Sequence, residues 1–346
     1  MADDLLTFTD RGIFCSLGGF YIDPWRPVAR AVITHGHSDH ARQGHGKYLA
    51  TSPALPVLRH RLGAIEADGL GYGEPLRIGE VEVSFHPAGH VPGSAQIRVA
   101  SRGEVWVVSG DYKTESDGVS EAFEPVRCHT FISECTFGLP VWRWQPQEVV
   151  LGQIAQWWAA NRSAGRTSIL AAYSFGKAQR VMTGLADLGA LPAPILTHGA
   201  VEEVTAILRN QGYPLPPTLR ATAEISARTH PGALVIAPPA ALGSAWARRF
   251  GPAEEAFASG WMGVRGMRRR RGPGTGFALS DHADWPGLNA AIAATGATRV
   301  FVTHGYTAPF RRWLEEQGYQ AGIVATSYQG DDQGDDHGGE APEADA

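Results

Sequence analysis

Cysteine is scarce in this chain of 346 residues. Cys15, Cys128 and Cys135 form an odd set without CxxC spacing. That argues against a disulfide framework and fits reduced structural thiols in a cytoplasmic protein. Long apolar runs are missing too, so no membrane partner is expected. The start, Met1-Ala2-Asp3-Asp4, is acidic and lacks the pattern of a secretory signal. The spacing of a phosphate-binding P-loop is not found around Phe175-Gly176-Lys177. Lysine and arginine are absent from 330–346, which hold seven acidic residues and no apolar periodicity. Residues 329–346 are therefore expected to be a disordered acidic tail. The whole chain carries a formal net charge of −5, and without those seven acidic residues it stands at +2. Basic charge is concentrated in one run, where Arg268, Arg269, Arg270 and Arg271 follow one another. These arginines read as contacts to a phosphate backbone, and on charge alone a solvated loop is an equal alternative.

What the chain has in quantity is glycine and proline, 42 and 23 residues, beside a hydrophobic content of 43%. That composition suits a turn-rich α/β protein whose length calls for one large or two interlocked domains. Strand-like segments recur, and each ends near a residue able to do chemistry. Ala31-Val32-Ile33 leads to His35, Val81 to Phe85 to His90, and Glu104 to Ser109 to Asp111. Thr130 to Ser133 delivers Glu134, Gly276 to Leu279 precedes His282, and Arg299 to Thr303 precedes His304. Open α/β sheets place their sites at such strand ends, and six together argue for one shared site. Helical spacing covers Gln147 to Asn161, with further helices expected after Asp284 and from Ala308 to Gln317. Strands Ser168 to Ala171 and Leu234 to Ala237 fall in a second αβ region, which interrupts the site-bearing part.

The densest chemistry lies in Thr34-His35-Gly36-His37-Ser38-Asp39-His40. In an extended chain alternate residues share a face, so His35 and His37 can address one metal ion. Asp39 and His40, beyond the bend, can reach a second. Imidazole nitrogen with carboxylate oxygen suits zinc, and also manganese or iron.

These residues resemble the metallo-β-lactamase superfamily. His35-x-His37-x-Asp39-His40 is similar to its HxHxDH signature, His90 in Ala88-Gly89-His90 to its third motif and Asp111 in Ser109-Gly110-Asp111 to its fourth. Glu134 in Ser133-Glu134-Cys135-Thr136 resembles motif A of the β-CASP nucleases, His282 in Ser280-Asp281-His282 motif B, and His304 in Thr303-His304-Gly305 motif C. Tyr173 to Arg180 also looks like a β-CASP segment. The resemblance implies an α/β fold: a metallo-β-lactamase αββα sandwich (1–140 and 276–328) with an inserted β-CASP α/β domain (141–275). It implies two divalent metal ions, zinc or manganese. His35, His37, His90 and Asp111 would hold one; Asp39, His40, Asp111 and His304 would hold the other. Asp23 would orient a ligand, and Glu134 would stand behind the site.

Within that branch the chain looks most like bacterial ligase-associated DNA exonucleases. The implied activity is phosphodiester hydrolysis at DNA ends in repair, with a DNA ligase or a helicase as partner. The catalytic residues would be Asp39, Asp111 and His282, with His282 contacting the scissile phosphate or protonating the leaving oxygen. RNA-acting members keep the motif C histidine, so an RNA-processing ribonuclease is the alternative. A small-molecule metallo-hydrolase and a metal-free scaffold subunit are more distant readings. Ser174 and Lys177 are candidate nucleic-acid contacts. Trp157 and Trp158 are expected to pack between domains rather than stack bases. Cys135 has no base beside it that would make it a nucleophile.

Overall fold

The computed structural model describes residues 4–189, 191–225, 229–264 and 275–324. The arginine run 268–271 and the acidic tail lie outside the described residues. The chain is mixed α/β with three sheets. The first has six strands in sequence order, Thr7–Thr9, Gly12–Cys15, Phe20–Ile22, Arg30–Val32, Lys47–Thr51 and Ala67–Leu70. The second has seven, ordered Gln320–Ile323, Arg299–Gly305, Thr130–Cys135, Glu104–Val108, Ala95–Ser101, Val81–Pro87 and Leu76–Ile78.

Alternation along the strands explains why these two sheets face each other. In Val81–Pro87, Val81, Val83 and Phe85 are buried while Glu82 is exposed, the period of a strand with one apolar face. Those side chains enter one core with Ile13, Phe20, Ile22 and Val32 of the first sheet and Ile97, Trp106 and Ile132 of the second. The outer face of the first sheet is covered by the helix Leu55–Leu62 through Leu55, Leu58 and Leu62. The outer face of the second is covered by Trp285–Thr295 and Thr307–Glu316, through Leu288, Ile292, Phe310 and Leu314. The layers therefore run helix, sheet, sheet, helix. The helix after Asp284 starts as its sequence requires, with the Asp284 side chain accepting from Gly287 N–H at 2.9 Å and Gly296 left-handed at its end.

The third sheet is all parallel, in the order Leu219–Arg220, Ile195–Thr197, Leu234–Ala237, Thr167–Ala171, Ala253–Ala258 and Thr275–Phe277. Both its faces are covered, as parallel sheets need. Leu170 packs on one side with the helices Gln147–Ser163 and Lys177–Asp187, and Ile169 on the other with Ala247 and Phe250. Trp158 is fully buried there, its Nε1 donating to the Gly232 carbonyl at 2.8 Å, and Trp157 packs against the same cluster. This region departs from the second sheet after Thr130–Cys135 and returns as the adjacent strand, Glu134 paired with Thr303. The chain leaves the second sheet for this region at the end of Thr130–Cys135 that carries Glu134. No helix among the described residues is long and apolar enough to cross a membrane.

The core shared by the first two sheets should carry much of the stability. Ile97→Ala, at a fully buried position, is expected to cost about 2–5 kcal/mol in urea unfolding. Val141→Ala, at a site 62% exposed, should stay within about 0.5 kcal/mol of the parent. Equal midpoints for the two variants would contradict the assignment of this core.

Candidate metal centre

The chain leaves Arg30–Val32, continues through Ile33, whose N–H donates to the Leu49 carbonyl, and turns at Thr34. The turn is built around Asp23. Its Oδ1 accepts from Thr34 N–H at 2.8 Å, and its Oδ2 from Thr34 Oγ1 at 2.6 Å and His40 Nδ1 at 2.7 Å. Two glycines let the remaining loops close in. Gly110, at φ 56°, has no room for a Cβ, which would lie 2.6 Å from Thr34. At Gly89, φ 76°, a Cβ would strike the Lys113 carbonyl at 2.2 Å. Asp111 and His90 reach the histidine turn because neither glycine carries a side chain.

Three imidazoles converge. His35 Nε2 lies 3.2 Å from His37 Nδ1, which lies 3.0 Å from His90 Nε2. Asp111 Oδ2 is 3.6 Å from His35 Nε2 and 3.8 Å from His90 Nε2. The outward nitrogen of each ring has an oxygen beside it: Thr34 Oγ1 for His35 Nδ1 (3.1 Å), the Phe175 carbonyl for His37 Nε2 (3.2 Å) and the Asp281 carbonyl for His90 Nδ1 (2.9 Å). Carbonyls only accept, and Thr34 Oγ1 already donates to Asp23, so each outward nitrogen bears the proton. Each inward nitrogen then presents a lone pair. Lone pairs 3.0–3.2 Å apart repel one another unless a cation lies among them. Four ligands about 2.0–2.1 Å from a tetrahedral zinc stand roughly 3.3 Å from one another, close to the spacings here.

A second group adjoins the first. His40 Nε2 lies 3.3 Å from Asp111 Oδ2 and 3.5 Å from Asp39 Oδ2. It is buried and makes no hydrogen bond, as suits a nitrogen meant for an ion. Asp111 Oδ2 thus stands between the two groups. Beside His40 a cavity of about 30 Å³ is lined by Asp23, Trp25, Asp39 and His304 together with Ile22, Val108 and Ile132.

The electrostatics agree with a cation-binding role. Burial lowers His35 well below the ordinary histidine value, and His40 and His90 push it further down. Burial, with His282 and His37 adding, takes His90 down to about 3. Burial opposes charge on His40 as well, but Asp111, Asp39 and Asp23 outweigh it and raise His40 well above its usual value. Burial would raise Asp111, yet His40 and then His282 hold its carboxyl well below the usual carboxylate range.

Next to the first group, His282 Nδ1 donates to Glu134 Oε1 at 2.9 Å. Tyr112 N–H donates to the same oxygen at 3.0 Å, and Thr136 N–H to Oε2 at 3.2 Å. Glu134 is therefore engaged on both oxygens by protein donors, and it fixes the His282 ring. Burial pushes the Cys135 thiol well above its usual range, with Glu134 adding.

His304, expected to ligate with Asp39 and His40, lines the cavity they line, its ring stacked on His40 at 5.2 Å and its Nδ1 3.1 Å from Thr303 Oγ1. It is absent from the groups of converging ligand atoms among the described residues. Its strand carries a bulge at this point. Thr303 pairs with Glu134 and Gly305 with Cys135, leaving His304 as the extra residue at φ 55°. Lys177 was expected to touch nucleic-acid backbone. It is instead 4% exposed, with Nζ 2.8 Å from Asp281 Oδ2, because its helix faces the loop that carries His282. Ser174 is half-buried, and its carbonyl accepts from Gln179. The Phe175 carbonyl, Thr34, Asp281 and Arg180 were not anticipated. Only Asp281 had a signal, its place beside His282.

No family model matches the chain. It is 29% identical over 322 residues, 92% of its length, to a protein of Opitutus terrae named as a probable DNA ligase, of which this stretch is 31%. It is 27% identical over 142 residues, 40% of its length, to an RNase of Saccharolobus solfataricus, of which this stretch is 28%. The chain thus spans about a third or less of the length of these relatives. At moderate identity they support the β-CASP metallo-β-lactamase family. A solved structure from Enterococcus faecalis, described as a protein of unknown function, superposes with a TM-score of 0.59 at 12% identity, covering 87% of this chain and 80% of that one. That likeness concerns the fold alone.

The buried histidines make acid stability a test of the geometry. The His90 value of about 3 in the fold lies below the unfolded value of about 6.5, so between these the unfolded chain binds the extra proton. Its contribution is complete above pH 6.5 and falls by up to about 1.4 kcal/mol per pH unit as pH drops toward 3. In chelator-treated protein, urea midpoints from pH 7 to 5 should fall more steeply for the parent than for His90→Gln. Parallel curves would refute the burial of a neutral His90.

Proposed function

We propose that the chain is a two-metal phosphodiesterase, a nuclease acting as an exonuclease on DNA ends in repair. We read its fold as a metallo-β-lactamase sandwich carrying an inserted β-CASP domain. One observation carries the reading: Asp111 Oδ2 lies within 3.8 Å of the His35 and His90 nitrogens and 3.3 Å of His40 Nε2. A single carboxylate shared by two ligand groups is the layout a pair of divalent ions requires, and neither histidine group alone explains it. Two ions bound here, zinc or manganese, would supply Lewis acidity and a water acidic enough to attack a phosphodiester near neutral pH.

The chain's own residues account for the rest. His35, His37, His90 and Asp111 would hold one ion, and Asp39, His40, Asp111 and His304 the other. Asp39 accepts a proton from the attacking water. His282, with Nδ1 committed to Glu134, gives a proton through Nε2 to the leaving oxygen, and the Glu134 carboxylate stabilises the imidazolium before transfer. DNA is favoured as substrate because the similarity to a probable DNA ligase extends over 92% of the chain. A chain similar to part of a ligase is also suited to preparing ends for one, so a DNA ligase is the partner we infer. The similarity to an RNase over 142 residues supports RNA as the second reading.

Matched end-labelled DNA and RNA strands, digested with manganese or zinc, test this assignment. Mononucleotides released from DNA alone are the expected result, and selective RNA cleavage would transfer the assignment to the ribonuclease reading. Asp111→Ala should abolish both bound metal and cleavage. His282→Ala should keep its metal while kcat falls by about two to four orders of magnitude. Loss of metal in that variant would make His282 a ligand instead.

A further inference from the structure

Lys177, Arg180 and Asp281 form a buried ionic cluster that the proposed chemistry does not use. Lys177 Nζ lies 2.8 Å from Asp281 Oδ2 and Arg180 Nη1 3.1 Å from Oδ1. Arg180 also donates to the Ser280 carbonyl and to Gln147 Oε1. All three charged residues are at most 4% exposed. Buried ion pairs seldom improve stability over apolar packing of the same shape, because desolvation offsets the attraction. What such a cluster does provide is orientation, and here it holds one loop through the Asp281 carboxylate and the Ser280 carbonyl.

That loop is placed where orientation matters. The Asp281 carbonyl is the acceptor for His90 Nδ1 at 2.9 Å, and the next residue is His282. From the inserted region the Phe175 carbonyl is the acceptor for His37 Nε2 at 3.2 Å. One stretch of the inserted region, Tyr173 to Arg180, thus sets the outward hydrogen bonds of two of the three converging imidazoles, directly for His37 and through Asp281 for His90. The helix Lys177–Asp187 starts inside this stretch. Gly176, at φ 89°, packs on Val91 from the His90 loop, where a Cβ would meet Val91 Cγ1 at 2.3 Å.

We propose that Lys177 and Arg180 are positioning residues for the metal centre: by clamping Asp281 they hold His90 in its ligating orientation, so that metal affinity depends on the seating of the inserted region. This rests on the two-metal reading above. Reciprocity follows from linkage, since an ion that needs the seated arrangement must stabilise it by the same factor. Partners that orient metal-ligating histidines typically change metal affinity by about 10- to 100-fold when removed.

The test titrates full-length protein with zinc or manganese against a chromophoric chelator, alongside melting with and without metal. Lys177→Gln should bind about tenfold more weakly or worse, its metal-induced rise in melting temperature should shrink accordingly, and Lys177→Arg should recover most of both. If Lys177→Gln lowers the melting temperature equally with and without metal and leaves affinity unchanged, the cluster is merely structural and the proposal is overturned. Should Lys177→Gln fail to fold, Arg180→Lys decides. It keeps the charge but loses the Nη1 contacts to Asp281 and Ser280, so weakened affinity supports the proposal and parental affinity overturns it. A parent protein that binds neither ion would overturn the two-metal reading itself, a result distinct from parental binding with an indifferent Lys177 variant.

Discussion

Each imidazole of the first ligand group is committed on its outward side, and that constraint determines what the inward side can do. A neutral histidine has one N–H and one lone pair, so a fixed acceptor at one nitrogen assigns the lone pair to the other. Thr34 Oγ1, the Phe175 carbonyl and the Asp281 carbonyl make that assignment for His35, His37 and His90. The three acceptors come from widely separated parts of the chain. The helix–sheet–sheet–helix body brings the strand ends together. The inserted third sheet then supplies an acceptor for His37, and the loop by which the chain leaves it supplies one for His90.

This division explains what could be read from the residues. The gathering of His35, His37, Asp39 and His40 was legible because it is local: an extended chain shows alternate residues to one side, and the bend delivers the rest. His90, Asp111, Glu134 and His282 were legible as polar residues at the ends of apolar runs. Those runs became strands because their alternation matched the burial available between two sheets. The helix after Asp284 was legible from its cap and its terminal glycine. Backbone acceptors were not, because a carbonyl belongs to every residue and nothing marks Phe175 as the one beside His37. Lys177 was misread for a related reason. Sequence shows a lysine among turn residues, and only the fold shows the buried carboxylate opposite it.

His304 illustrates a different limit. Its strand was expected and so was its proximity to His40, but a one-residue bulge decides where the ring goes. The register Thr303 to Glu134 and Gly305 to Cys135 depends on how two distant segments meet, which local pattern does not encode. Among the described residues, the non-glycine positions with positive φ are Asp23, Arg102 and His304. Asp23 and His304 both line the cavity beside His40. Such conformations cost of order 1–3 kcal/mol each and persist where surrounding contacts over-determine them. Here Asp23 is held by three hydrogen bonds from Thr34 and His40, while Gly305 is packed against the Cys135 carbonyl.

The two ligand groups are consequently preorganised to different degrees. In the first, ligand atoms from three segments already stand at separations near those of a tetrahedral set, and no ring can turn without breaking the hydrogen bond at its outward nitrogen. In the second, His40 is fixed through Asp23, and the strained backbone lies on this side. Preorganisation lowers the cost of binding because the ordering is completed during folding. The first position should therefore hold an ion with the greater share of protein ligands. The second, flanked by the cavity and the stacked His304 ring, keeps the freer geometry that a centre needs if a reacting group is to enter its coordination sphere.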